Sequence, residues 1–221
     1  MEAEPIYSQP QPVAAPIPPP VRYTWTGIYF GANAGYGFGQ FAPGSLYSSD
    51  YSAFNYSANG GLIGLTAGAQ IQNGHTVIGF EADIDWTNTK GSASGTINFN
   101  GSPIGTTTLS STLSSISTLR TRLGYAHENW LFFVTGGVAA TNQTSTLSRS
   151  VGFVCGTGAF NSPPCSSPTE LHLGLSAGAG IEYGITTNLS AKGEWIWLGA
   201  GAGNTLWENM FRAGLNWRFG M

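Results

Sequence analysis

Wherever the chain looks strand-like, charged residues fall on one parity and large apolar residues on the other. In Gly79–Trp86 the odd positions carry Glu81, Asp83 and Asp85, while the even ones carry Phe80, Ala82, Ile84 and Trp86, with Ile78 just before. A strand sends successive side chains to opposite faces, so one face here is acidic and the other apolar. Eight such runs follow one another: 26–38, 62–72, the acidic run, 114–125, 130–141, 170–183, 189–198 and 207–219. The sixth is the clearest. There Leu171, Leu173, Leu175, Ala177, Ala179, Ile181 and Tyr183 alternate with Glu170, His172, Gly174, Ser176, Gly178, Gly180 and Glu182. The connectors, at about 39–60, 73–74, 88–112, 126–129, 142–169, 184–188 and 199–206, alternate long and short. Asn73-Gly74 predicts a two-residue type I′ hairpin between the second and third runs.

Two folds use such strands. A soluble sandwich buries the apolar face; a membrane barrel turns it to lipid. On the parity that holds the charges there are seven acids (Glu81, Asp83, Asp85, Glu170, Glu182, Glu194, Glu208) and five bases (Arg120, Arg122, Lys192, Arg212, Arg218). The other parity carries none, and a Lys or Arg facing lipid costs about 2–4 kcal/mol at the midplane. That parity also holds Trp86, Trp130, Trp195, Trp197, Trp207 and Trp217 near strand ends, which suits aromatic girdles at a membrane interface. Composition points the same way. Charged residues make up 9% of the chain, too few to cover a soluble domain. No apolar run is long enough for a spanning helix. The expected fold is all-β: an eight-stranded antiparallel up-and-down transmembrane β-barrel, with short periplasmic turns and longer extracellular loops.

Residues 1–22 hold seven of the twelve prolines and read as a periplasmic tether or disordered tail; 23–221 form the barrel, with extracellular loops at about 39–60, 88–112, 142–169 and 199–206. The start, Met1-Glu2-Ala3-Glu4-Pro5, looks like a mature N-terminus behind a leading methionine, the signal peptide already removed. Cys155 and Cys165 flank a Gly/Ser/Pro segment and suit a disulfide in an oxidising compartment, the alternative being two unpaired loop thiols. With no second ligand pair near them, no metal site is expected, and no cofactor either. A net charge of −3 without a basic run argues against nucleic acid as a partner.

Trp25-Thr26-Gly27-Ile28-Tyr29-Phe30-Gly31-Ala32-Asn33-Ala34-Gly35-Tyr36, just after the Pro-rich start, resembles the opening of the Omp25/Omp31-type outer-membrane proteins of alphaproteobacteria, within the OmpA-like small barrels. Thr118–Tyr125 and Val134–Ala139 look like that family's fourth- and fifth-strand motifs. The end, Gly214-Leu215-Asn216-Trp217-Arg218-Phe219, is similar to the signal read by the outer-membrane insertion machinery, with Gly214, Trp217 and Phe219 as its marks, although Gly220-Met221 follow the terminal aromatic. The resemblance covers residues 24–220. It implies a porin-family surface antigen in contact with outer-membrane lipid and lipopolysaccharide, assembled by that machinery. For some members it implies host or environmental contact, envelope integrity or haemin binding.

Candidate chemistry lies inside the barrel. Glu81, Asp83 and Asp85 would face Arg120 and Arg122 on the neighbouring strand, and Lys192 and Glu194 would join Arg212, Arg218 and Glu182. Buried charges must be paired, so a lumen ion-pair network is expected, and a gated path for ions or small solutes is the sharper alternative. His75, His127 and His172 sit in or near turns and strand ends with no triad spacing, so an enzyme is not expected. Three functions remain: a surface-interaction and envelope scaffold, a narrow porin, or a lipid-modifying enzyme.

Overall fold

The computed structural model describes residues 23–42, 55–99, 102–150, 165–166, 169–201 and 206–219. Its strands are β1 (Gly27–Phe41), β2 (Tyr56–Asn73), β3 (Thr76–Thr87), β4 (Lys90–Phe99), β5 (Ser102–His127), β6 (Trp130–Arg149), β7 (Cys165–Ser166), β8 (Glu170–Gly184), β9 (Leu189–Ala200) and β10 (Leu206–Phe219). Eight of them close into a barrel. The antiparallel circuit runs β1–β2–β3–β5–β6–β8–β9–β10, and β10 pairs back onto β1 from Ile28↔Phe219 to Phe41↔Leu206. Among the described residues, the part of each of these eight strands that lies within the circuit is paired on both sides, the condition for a sheet to sit in hydrocarbon.

The alternation read from the sequence is the wall of this barrel. Large apolar side chains on every barrel strand point outward, from 39% exposed at Tyr183 to 72% at Leu173. A soluble monomer rarely shows a continuous apolar surface beyond a few hundred Å². Here it girdles the whole molecule. The opposite parity points into a filled lumen.

Three details differ from the sequence reading. The segment 88–112, expected as a loop, is the hairpin of β4 with the first half of β5, and β6 runs on to Arg149, so these strands rise past the barrel as a blade. Ser and Thr occupy both faces of much of it, leaving no contrast of hydropathy for the parity test to detect. A bulge between Leu113 and Ser115 also exchanges the faces of β5, placing Ile116 and Leu113, of opposite parity, both in the lumen. Finally, Asn73 pairs with Thr76, so the turn residues are Gly74 and His75, and Gly74 carries the left-handed φ of +61°. Glycine takes that conformation without strain, which shifts the turn one residue along. The tail 1–22, most of the 39–60 and 142–169 connectors, residues 202–205, Cys155 and Gly220-Met221 lie outside the described residues.

Candidate functional site

The lumen has three storeys. At the end with the short turns, Tyr23, Trp25, Val77, Ala126, Leu131 and Phe133 pack into an apolar floor. At the loop end a larger cluster, including Phe41, Tyr56, Leu62, Leu113, Ile116, Ile196, Leu198, Leu206 and Met210, forms a roof. Between them lie Glu81, Asp83, Asp85, Arg120, Arg122, Glu182, Lys192, Glu194, Arg212 and Arg218, none more than 6% exposed.

Glu81 and Arg120 are register partners across β3 and β5, and Arg120 Nη2 reaches Glu81 Oε1 and Asp83 Oδ2, each at 2.7 Å. Its other terminal nitrogen, Nη1, lies 3.2 Å from Glu194 Oε2. Arg212 binds three carboxylates: Nη2 to Asp83 Oδ1 at 2.7 Å, Nη1 to Asp85 Oδ2 at 2.6 Å, and Nε to Glu194 Oε1 at 2.9 Å. Lys192 crosses the lumen to Glu81 Oε2 at 3.1 Å and also contacts Glu194 Oε1 at 2.7 Å. Arg122 joins Glu182 and, at 3.4 Å, Glu81. Four bases meet five acids in this layer, and Arg218, just below it, brings the bases to five. Breaking such a buried set by removing one partner costs about 3–5 kcal/mol, because a desolvated charge is left behind.

Neutral side chains complete the set. Tyr29 OH donates to Glu81 Oε2 at 2.8 Å, Thr66 Oγ1 and Thr118 Oγ1 donate to Asp83 at 2.7 and 2.9 Å, and Asn216 Nδ2 donates to Glu182 Oε1 at 2.9 Å. Reading charges alone misses these four, although their inward parity was the available signal. Arg218 stands apart from the middle: Glu182 is 3.8 Å away, its Nη1 donates to Trp25 O at 2.5 Å, and its guanidinium lies over Trp25 and Tyr29 at 5.2 Å. It clamps the floor rather than the network. Trp25, fully buried, is an inward residue that the girdle pattern does not include.

Glu208 is different again. It is fully buried among the roof residues, far from a base: Thr89 Oγ1 donates to Oε1 at 3.0 Å, and Oε2 has no partner. The charged group that acts on it is Asp85 from β3. A Cβ at Gly37 would strike this carboxyl, and one at Gly64 would strike Asp85, so bare backbone on β1 and β2 makes room for both. Glu208→Gln keeps the Thr89 hydrogen bond and removes an unpaired acid. Its unfolding free energy in a urea titration should match wild type or exceed it by up to about 1 kcal/mol. A loss above about 2 kcal/mol would instead mean that the carboxylate charge is stabilised in place.

Of the six girdle tryptophans, Trp86, Trp130, Trp195, Trp207 and Trp217 are 39–51% exposed, whereas Trp197 is half-buried, edge-on to Trp207 at 5.7 Å. Gly214, Trp217 and Phe219 lie on β10 at the seam, opposite Asn33, Phe30 and Ile28. Cys165 begins β7, and its expected partner Cys155 lies outside the described residues.

The family model described as outer membrane protein beta-barrel domain matches residues 13–219. The 31 kDa outer-membrane immunogenic protein of Brucella melitensis is 31% identical over 241 aligned positions, covering 99% of this chain and 93% of that protein. The 25 kDa outer-membrane immunogenic protein of the same organism is 26% identical, covering 98% and 89%. Among solved structures, Neisserial surface protein A aligns over 88% of this chain and 98% of that one, with a TM-score of 0.49 and 15% identity.

Proposed function

This chain belongs to the family of outer-membrane proteins built on a β-barrel domain, and from that premise we propose that it is a non-enzymatic scaffold that stabilises the envelope and displays its loop end to the outside of the cell. It resides in the outer membrane. The observation that carries the scaffold reading is the three-storey lumen, in which an apolar floor, an ion-pair layer and an apolar roof occupy the interior of eight strands. An eight-stranded barrel is just wide enough for side chains to fill, and here they fill it, which weighs against a narrow porin. The relatives' description as immunogenic suits a protein whose loops face outward. Lipid and lipopolysaccharide would contact the belt, host or environmental ligands the loops, and the insertion machinery the Gly214–Phe219 end during assembly.

Planar-bilayer recordings of the purified protein test the reading. The expected result is a flat baseline under applied voltage. Reproducible unitary steps that vanish when a bulkier side chain is placed in the lumen would favour the porin. Altered lipid A species in cells expressing the protein, abolished by one Ser or His substitution, would favour the lipid-modifying enzyme.

A further inference from the structure

We propose that the open edge of β4 is a strand-pairing site whose partner is β4 of a second copy of this chain, presented from a facing membrane. The inference rests on the reading of the loop end as the outside of the cell.

β4 is bonded fully along one side only. Its ladder with β5 runs from Lys90↔Thr112 to Phe99↔Ser102, whereas β2 meets its other side at Ala58↔Gly91 and Asn59↔Lys90 alone. Above these, among the described residues, that second side pairs with nothing. The opposite edge of the blade is partly covered, since β7 pairs with β6 at Thr146 and Leu147. Leu113 N donates to Thr89 O at 2.9 Å, which fixes the alternation along the strand. Thr89, Gly91, Ala93 and Gly95 turn their backbone groups toward β5, so Ser92, Ser94 and Thr96 turn theirs to the open side. These three residues are exposed. Sheets ordinarily blunt such an edge with charge, proline or a bulge. From Ser92 to Thr96 there is none: the ladder first becomes irregular between Ile97 and Asn98, and the nearest charge, Lys90, lies below. The run presents about 17 Å of unpaired donors and acceptors.

Self-pairing suits this run. An antiparallel pair centred on Ser94 sets Ser94 against its own copy and Ser92 against Thr96, with Ala93 beside Gly95 on the other face. The blade already uses such combinations on its bonded side. There Ser92 lies beside Ser110 and Ser94 beside Thr108, whose hydroxyls meet at 2.8 Å. Ser92, Ser94 and Thr96 each donate and accept, so about six hydrogen bonds join the two edges. Lys90 and its copy stand about 27 Å apart, and no like charges meet.

Direction decides where the second copy sits. β3 rises from the turn at Thr76 to Thr87, and β4 continues outward. Two copies in one membrane therefore send β4 the same way, and a two-fold axis along that direction sets N–H against N–H. Antiparallel pairing needs a copy that points the opposite way, which a facing membrane supplies. Five residues a side fall well short of the roughly 20–30 of a standard interface, so each pair is weak. Adhesion comes from many pairs acting together between two surfaces.

Tethering of phosphatidylcholine vesicles that carry the full chain tests this, read by energy transfer between a donor-labelled and an acceptor-labelled population. Wild type on both should tether, and Ser94→Pro on both should return the signal to that of protein-free vesicles. The proline removes one open-side N–H and spares the β5 ladder, the setting in which an edge strand accepts it. Ser94→Val keeps that N–H and should tether like wild type. Thr96→Pro carries the test if unchanged gel mobility on boiling shows that Ser94→Pro does not fold. Wild type facing Ser94→Pro should also fail, because both edges are needed. Tethering that survives in this mixed pair, loss of tethering with Ser94→Val, or none with wild type would overturn the proposal. The bilayer recordings judge the scaffold reading separately, since conductance through the lumen does not depend on the blade's edge.

Discussion

Arg212→Met is expected to lower the unfolding free energy of the barrel by about 3–5 kcal/mol, the largest loss of any single lumen substitution. Its guanidinium is shared among Asp83, Asp85 and Glu194. Removing it affects the three unequally. Asp83 keeps Arg120, and Glu194 keeps Lys192 and Arg120. Asp85 keeps no ion pair, because Arg212 is its one partner among the described residues and Oδ1 already has none. The destabilisation should therefore come mostly from one stranded carboxylate. Asp85→Asn in the Arg212→Met background should recover much of it, and a double-mutant cycle in urea, followed by tryptophan fluorescence in lipid vesicles, measures the coupling. Arg212→Lys should resemble the Met variant more than wild type, since a point charge cannot span three carboxylates as a planar fork does. A loss below about 1 kcal/mol for Arg212→Met would show that the lumen relaxes around a missing cation or admits water.

The second large effect belongs to the outer wall. Leu119→Arg should cost about 2–4 kcal/mol in lipid vesicles, because Leu119 lies outward on β5, midway between Tyr125 at the turn end and Ser115 at the start of the blade. Ser115→Arg, near the upper edge of the belt, should cost about 0–1 kcal/mol. The same urea titration reads both. A water-facing wall would reverse the expectation, since an arginine replacing an exposed leucine would be neutral or helpful there. Equal effects at 115 and 119 would therefore contradict the depth assigned to the belt.

How far the sequence anticipates this structure depends on contrast between faces. β8 could be read almost residue by residue because leucine and alanine on one side oppose glycine, serine and glutamate on the other. β4 and the upper half of β5 could not, because Ser92, Ser94, Thr106 and Thr108 differ little in hydropathy from what lies between them, and the bulge at Ser114 then inverts the parity. Inside the barrel, parity identified the inward charges but not their partners. Adjacent-strand reasoning finds Glu81 with Arg120 and Glu194 with Arg212, which are register neighbours. It misses Lys192 with Glu81, and Arg212 with Asp83, because these pairs span the lumen between strands that never touch. Their partnership depends on the barrel's girth and stagger, a property of the closed sheet rather than of any window of sequence. The floor and roof were missed for a related reason: inward Leu131, Phe133, Ile196 and Met210 look like breaks in an alternating pattern until the two apolar clusters are seen to close around the charges.

The β1–β10 seam also bears on timing. The first strand of the barrel made at the ribosome finds one of its two partners only in the last, some 190 residues later in the chain. Until that strand arrives, β1 carries an open row of donors and acceptors that hydrocarbon cannot satisfy. A chain truncated before Leu206 therefore lacks the whole of β10 and leaves β1 and β9 as raw edges, so partial synthesis yields no partially working barrel. The hydrogen-bonded circuit is therefore complete only when the last strand is present to pair with both β9 and β1.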